Sequence, residues 1–343
     1  MSTLPTMKAA VSHRYGRPDV VRVEELPRPS PAADELLVLV RATTVNRTDC
    51  GYRGGKPFVI RFFSGVRRPR FPIWGTEFSG VVAAIGTEVP GYSVGDRVLG
   101  YCEGTFGAHA EYMTVRADRP LVMPIPDGTT FAEAAPSTEG AHYAMGFLRR
   151  AGLEPGAEVM IYGASGAIGS AAVRFAKIMG MRVTAVCGTS AVDMVKGLGP
   201  DRVIDYQTED VYADAQRYDL IVDAVGKRSF LRMRRLLKPK GVYTASERPL
   251  LSKPGLFAPV FIGWLLTSWI TRLFRGRRMM FVAPHDDPEG LRIIREAIAS
   301  GEFRPIIDRT IPLDEIADAY RFVETGKKLG NVVIAVDRAS ELA

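Results

Sequence analysis

From Val159 to Gly180 the chain reads VMIYGASGAIGSAAVRFAKIMG, a run whose residue types suit the handling of phosphate. An apolar stretch ends at Gly163. Ala164, Ser165, Gly166, Ala167 and Ile168 then lead to Gly169 and a helical pattern with Ile168, Ala172, Phe175 and Met179 on related faces. Small residues let the backbone approach a pyrophosphate, and a helix start offers unpaired N–H groups at the positive end of its dipole. Gly169 permits close packing of that helix on the strand. Strand, turn and helix in this order point to a bound dinucleotide; a tight turn without a ligand is the structural alternative.

The next strand addresses which dinucleotide. An acid at its end, about 20 residues past the glycines, would hydrogen-bond the ribose 2′-hydroxyl of NAD. In RVTAVCGTSA that place is held by Cys187, followed by Gly188, Thr189 and Ser190, with no carboxylate before Asp193. A small polar loop tolerates a 2′-phosphate that an acid would repel, and Lys196 and Arg202 are nearby cations. NADP(H) is therefore the expected cofactor. Turn formation alone is the other role open to Thr189 and Ser190.

A second grouping is EGAHYA. Glu139 and His142 stand at i and i+3, hence on one helical face, with Tyr143 beside them, so a proton relay or a structural pair is possible. Metal chemistry finds less support. Cys50, Cys102 and Cys187 are the only cysteines and show no CxxC spacing, so neither a disulfide framework nor a structural zinc cluster is expected. Glu77, Glu139 and His142 are the remaining combination for an unorthodox metal site, and no metal is assigned.

The elements that must position these groups change character along the chain. Up to Thr130, short apolar runs such as ELLVLVRATTV, FSGVVAAIG and DRVLGY alternate with Gly- and Pro-rich spacers, which predicts an antiparallel, barrel-like domain. FAEAAPSTEGAHYAMGFLRRAG reads as one helix ended by Gly152. Strand and helix patterns then alternate to about Tyr243, as in a parallel α/β sheet. The chain closes with two helical segments, DPEGLRIIREAIASG and IPLDEIADAYRFVETG, and a strand, NVVIAV.

At 343 residues, with roughly 150 per domain, two domains are expected. Lys+Arg 45 against Asp+Glu 38 leaves a net charge of +7. The basic clusters at Arg67, Arg68, Arg70 and at Arg272, Arg275, Arg277, Arg278 accompany no nucleic-acid-binding signature, so they read as solvated surface and nucleic acid is not an expected partner. The N-terminus lacks the apolar core of a signal peptide, which with the cysteine usage predicts a cytoplasmic protein. Residues 256–278 include an apolar stripe of Ile262, Leu265, Leu266, Trp269, Ile270 and Leu273. A buried or interface helix is the expected use; peripheral membrane contact is the sharper alternative.

With these motifs in hand, the chain resembles the medium-chain dehydrogenase/reductase superfamily, in its zinc-independent quinone oxidoreductase-like branch. The resemblance rests on TVNRTDCGYRGG (44–55), GTEFSGVVAAIG (75–86), VGDRVLG (94–100), GTFGAHAEY (104–112), EGAHYA (139–144), YGASGAIGSAAV (162–173), DLIVDAVG (219–226) and GNVVI (330–334). It implies a GroES-like β-barrel catalytic domain from residues 1–130 and 280–343, and a doubly wound parallel-sheet Rossmann domain from 131–279. It also implies NADP(H) in the cleft between them, and a homodimer.

Zinc-dependent relatives carry a Cys where Asn46 stands and Gly-His-Glu where this chain has Gly75, Thr76 and Glu77. By the resemblance, Asn46 and Asp49 lie near the nicotinamide and Tyr52 lines the substrate pocket, with Glu139, His142 and Tyr143 as further catalytic candidates. Tyr206, Ala224, Val225 and Gly226 attend the adenosine end, and Asn331 returns near the nicotinamide. Without a Lewis acid, the expected reaction is direct hydride transfer to a quinone or α,β-unsaturated carbonyl, whose oxygen takes up the charge. The rivals are a zinc-free NADP-dependent alcohol or aldehyde dehydrogenase and a membrane-peripheral NADPH-binding or scaffold protein.

Overall fold

The computed structural model describes residues 5–58, 60–119, 121–246, 263, 266–270, 276–280 and 287–336. Two compact units divide the chain, Met1–Glu139 with Arg295–Ala343, and Gly140–Ile294.

The first unit is built from β1 (Thr6–Val11), β2 (Arg22–Pro27), β3 (Glu35–Val45), β4 (Glu77–Ile85), β5 (Arg97–Tyr101), β6 (Tyr112–Arg116) and β7 (Met123–Pro124). β3 is its hub, paired antiparallel with β4 on one side and with β6 along its first half. The period of two along a strand sends Leu36, Val38 and Val40 to one face. There they pack with Phe78, Val82, Val98, Met113 and Val115. Between β3 and β4 the chain forms α1 (Arg47–Gly54) and α2 (Ile60–Ser64).

The segment expected to be one helix is two. Thr130 and Glu133 cap α3 (Phe131–Ala134) reciprocally, a 3-10 turn follows over Ala135–Ser137, and α4 (Glu139–Ala151) starts afresh. Pro136 is the cause: it has no N–H to donate to the preceding turn, and its ring crowds the residue before it.

The second unit carries β8 (Glu158–Tyr162), α5 (Ala167–Ile178), β9 (Arg182–Cys187), β10 (Arg202–Asp205), β11 (Tyr218–Asp223), β12 (Leu237–Ala245) and β13 (Arg278–Met280). They form one sheet in the order β10-β9-β8-β11-β12-β13, every pairing parallel. Renumbered from β8, that order is 3-2-1-4-5-6, with the topological switch between the first and fourth strands, where dinucleotides bind in such sheets. β13 lies across the 279/280 boundary expected between the domains.

After the helix Pro288–Ala299 the chain returns to the first unit as β14 (Ile307–Pro312) and β15 (Asn331–Ala335). β15 pairs antiparallel with β3, Val332 opposite Val45, and with β14 extends the sheet that β3 and β4 began. Most of the apolar 256–278 segment, including Ile262, Leu265, Arg272, Leu273 and Arg275, lies outside the described residues. Leu266, Trp269 and Ile270 are described, and they are exposed rather than buried, with Thr267 and Ser268 half-buried. Among the described residues no helix is long and apolar enough to cross a membrane.

Candidate active site

The phosphate cradle in the second unit is held by contacts that leave no room for larger residues. Gly163 adopts φ +83, and a Cβ there would stand 2.3 Å from Val225 Cγ2. A Cβ on Gly169 would stand 2.0 Å from the carbonyl oxygen of Gly163. The Gly163 and Ala164 N–H groups both donate to the carbonyl of Val186, at 2.9 and 3.0 Å, which pins the turn to the neighbouring strand. Gly166 is the N-cap of α5 and supplies no capping side chain, so the first N–H groups of α5, beginning with Ala167 and Ile168, point out at the positive end of the helix. These features fit a pyrophosphate. Val225 and Gly226 are positioned by Asp223, whose Oδ1 accepts from both N–H groups at 3.0 and 2.8 Å; Ala224 donates to Tyr162 O at 2.9 Å.

The selectivity loop differs in detail from expectation. Cys187 is buried, and burial pushes its thiol up to about 11, so it packs rather than contacts solvent. A carboxylate does stand close by, from the adjacent strand: Asp205 is opposite Cys187 and accepts from Thr189 Oγ1 at 2.6 Å. That bond, with the Gln207 N–H, holds Asp205 below the usual carboxylate range. Gly188 packs near Tyr206, Ser190 is exposed, and Lys196 is ion-paired with Asp193 at 3.6 Å. Arg202 is corrected as a phosphate-facing cation, because Asp214 holds its guanidinium at 2.8 Å.

A further cation at this edge is Arg228. It lies 4.5 Å above the Tyr162 ring, and Tyr162 in turn sits 6.1 Å from Tyr206, so all three share the edge that carries the Gly188 loop. Its sequence signal is a basic pair, Lys227 and Arg228, just after the Ala-Val-Gly turn that ends β11.

In the first unit, hydrogen bonds join Asn46 with Asp49 and Thr76, and Glu77 with Glu139. Asn46 is the N-cap of α1. Its Oδ1 accepts from the Asp49 N–H at 2.9 Å, Asp49 Oδ2 accepts from the Asn46 N–H at 3.0 Å, and Asn46 Nδ2 donates to Thr76 Oγ1 at 2.8 Å. Next to them Glu77 is fully buried and accepts from Thr44 Oγ1 (2.7 Å), Thr138 Oγ1 (3.0 Å) and the Glu139 N–H (2.9 Å). Glu139 Oε1 accepts from Thr48 Oγ1 at 2.5 Å.

Burial raises both carboxyls, but Glu77 is opposed by its donors, whereas Glu139 is raised further by the charges of Glu77 and Asp49. Glu77, with its three donors, is therefore the carboxyl favoured as the anion, and Glu139 the one favoured to keep its proton. Asp49 is also raised well above its ordinary range by burial. Lys328, in the turn before β15, is pulled down to about 8 by burial, with Glu139 as its chief opposing charge. Thr44, Thr48, Thr76, Thr138 and Lys328 escaped the sequence reading, since only the fold brings three β-strand ends and two helix starts together.

Tyr52 lies on α1 in an aromatic group, stacked 5.9 Å from Trp74 and edge-on to Phe106 at 4.6 Å. Its hydroxyl donates to Glu103 Oε1 at 3.3 Å. His142 and Tyr143 stand on the first turns of α4, ring centroids 6.2 Å apart, with His142 buried. Asn331 is buried and donates through both its N–H and Nδ2 to Ile306 O, at 2.8 and 3.0 Å.

Residues 32–127 match the alcohol dehydrogenase GroES-like domain, and residues 198–334 match the zinc-binding dehydrogenase family. The chain is 28% identical over 341 residues to a 2-methylene-furan-3-one reductase of Solanum lycopersicum, covering 96% of this chain and 79% of that protein. It is 27% identical over 341 residues to an NADPH-dependent alkenal/one oxidoreductase of Arabidopsis thaliana, with the same coverage of 96% and 79%. The structure of the quinone oxidoreductase from Coxiella burnetii superposes with a TM-score of 0.82 at 24% identity, covering 97% of this chain and all of that one.

The chain belongs to the medium-chain dehydrogenase/reductase superfamily. It falls in the quinone-oxidoreductase-like branch, with the GroES-like and Rossmann folds of that group. One matching description mentions zinc, and the residues here do not fit it. Asn46 has both ends of its amide committed to Asp49 and Thr76, and Thr76 contributes a hydroxyl where a ligand imidazole would be needed. Among the described residues no three His, Cys, Asp or Glu side chains converge to hold a metal. The three thiols are buried and pushed upward, Cys50 to about 12, so none is a ready thiolate ligand or nucleophile.

Proposed function

We propose that this member of the superfamily is a zinc-independent, NADPH-dependent oxidoreductase that reduces quinones or α,β-unsaturated carbonyls. The observation that carries the reading is a pair of buried hydrogen-bonded sets, Asn46 with Thr76 and Glu77 with Glu139, polar and protonatable where zinc-dependent relatives need metal ligands. The names of its relatives, an alkenal/one oxidoreductase and a furanone reductase, support the same class of acceptor. The glycine cradle supports a dinucleotide, and the loop from Cys187 to Ser190 with Arg228 and Tyr206 suits NADP(H).

NADPH, when bound, supplies hydride from its nicotinamide. The chain's part is to orient the acceptor, donate hydrogen bonds to the oxygen that gathers charge, and hold a proton. For the last tasks we assign Tyr52 with its partner Glu103, and Glu139 with Thr48. Asn46 and Asp49 set the start of α1 that carries Thr48 and Tyr52. His142, Tyr143 and Asn331 are proposed to line the acceptor and nicotinamide surroundings. Three buried thiols fit a reducing, cytoplasmic location. Exposed Leu266, Trp269 and Ile270 favour pairing with a second copy, and peripheral membrane contact through 256–278 is the competing use.

Purified protein, treated with a chelator and supplied with NADPH, is expected to consume it with alkenals or quinones and to leave simple alcohols untouched with NADP+. The reverse pattern overturns the proposal in favour of an alcohol dehydrogenase.

A further inference from the structure

Between Asp49 and Glu77 the chain carries six cations, Arg53, Lys56, Arg61, Arg67, Arg68 and Arg70, and no carboxylate. Arg53 is buried against Glu324, while Lys56, Arg67, Arg68 and Arg70 are exposed. None of the ion pairs among the described residues engages Arg67, Arg68 or Arg70. The same stretch turns aromatic rings outward: Phe58 is 50% exposed, Phe62 65% and Phe63 74%.

This exposure is built in. Ser64 is buried at the base of α2, and Tyr15 donates to the carbonyl of Gly65 at 2.7 Å. Arg61 spans the Tyr15 ring at 4.5 Å and donates to Gly55 O at 3.2 Å. With that side of α2 tied down, Phe62 and Phe63 have no inward option, and Phe58 meets Phe62 edge-on at 5.8 Å.

We infer that Phe58, Phe62 and Phe63, bordered by Arg67, Arg68 and Arg70, dock on the surface of an anionic lipid bilayer. Projecting aromatic tips insert into the boundary between headgroups and acyl chains, while the surrounding arginines meet the lipid charge. A protein partner would instead need pockets shaped to accept three rings together with a matched acidic surface. The inference goes beyond the reductase reading and does not rest on it.

The test uses the full chain and vesicles of phosphatidylcholine with or without phosphatidylserine. The protein is expected to sediment with phosphatidylserine vesicles at low salt and to stay in solution with phosphatidylcholine alone. Phe63→Trp should add blue-shifted emission only with the former, and soluble phosphoserine should not reproduce the shift. Phe62→Ser with Phe63→Ser, and separately Arg67→Gln with Arg68→Gln, should each weaken vesicle partitioning about tenfold. NADPH binding reports that each variant is folded. Several results overturn the inference: no sedimentation, unchanged partitioning in both double variants, or partitioning abolished by Trp269→Ser instead. A Phe63→Trp shift that appears on concentrating the protein without lipid also overturns it, because a second copy then covers the patch.

Discussion

At the scale of single residues, Glu77 and Glu139 look alike in the sequence and differ in the structure. Glu77 serves three donors and must be an anion with two accepting oxygens, whereas Glu139 serves one. Glu77→Gln turns one acceptor into a donor facing donors, and it should lower stability by about 2 kcal/mol in denaturant melts. Glu139→Gln keeps an oxygen for Thr48 and should change the melt little while slowing turnover. In the second unit, Arg228→Ala should weaken NADPH binding about tenfold in a fluorescence titration and NADH binding less, since a 2′-phosphate is the group a guanidinium recognises. Equal weakening of both would assign Arg228 to the adenine ring it could stack on.

At the scale of elements, the strand–glycine–helix unit was legible because its demands are local. Gly163 is required by its left-handed φ of +83, and Gly169 by the carbonyl of Gly163 six residues before it. Gly169→Ala should therefore abolish NADPH binding, as its Cβ would stand 2.0 Å from a carbonyl oxygen that cannot yield without moving the strand end. The residues around Glu77 were not legible. Thr44, Thr76 and Thr138 come from β3, the approach to β4 and the turn after α3, and nothing in their spacing announces that they meet. The division of 131–152 into two helices has a nearer cause in Pro136, whose missing N–H ends the preceding turn. The outward face of Leu266, Trp269 and Ile270 was likewise unreadable, because periodicity identifies an apolar stripe and says nothing of which way it faces.

At the scale of the whole molecule, two units are threaded so that the chain leaves the first, completes the second and returns. The pairing of β15 with β3 is what makes the return obligatory. It also makes the first unit depend on residues almost 290 positions apart, from Val45 to Val332. His109 sits in its core, donating from Nε2 to Thr44 O at 2.7 Å, and burial lowers its pKa from 6.5 to about 4. The unfolded chain takes up that proton first as pH falls. Stability from this group is therefore full above pH 6.5 and is lost between there and about pH 4, up to about 3 kcal/mol in all. His109→Gln should flatten the stability profile of the parent protein over that window, as read by denaturant midpoints at a series of pH values.

The central claim is hydride transfer to a conjugated carbonyl or quinone without metal. NADPH deuterated at C4 of its nicotinamide, mixed with chelator-treated protein and an α,β-unsaturated ketone, tests it most directly. The expected product is a saturated ketone with deuterium at the β-carbon. Deuterium on the carbonyl carbon of an allylic alcohol, or no reduction of either enone or quinone by protein that binds NADPH, would contradict it.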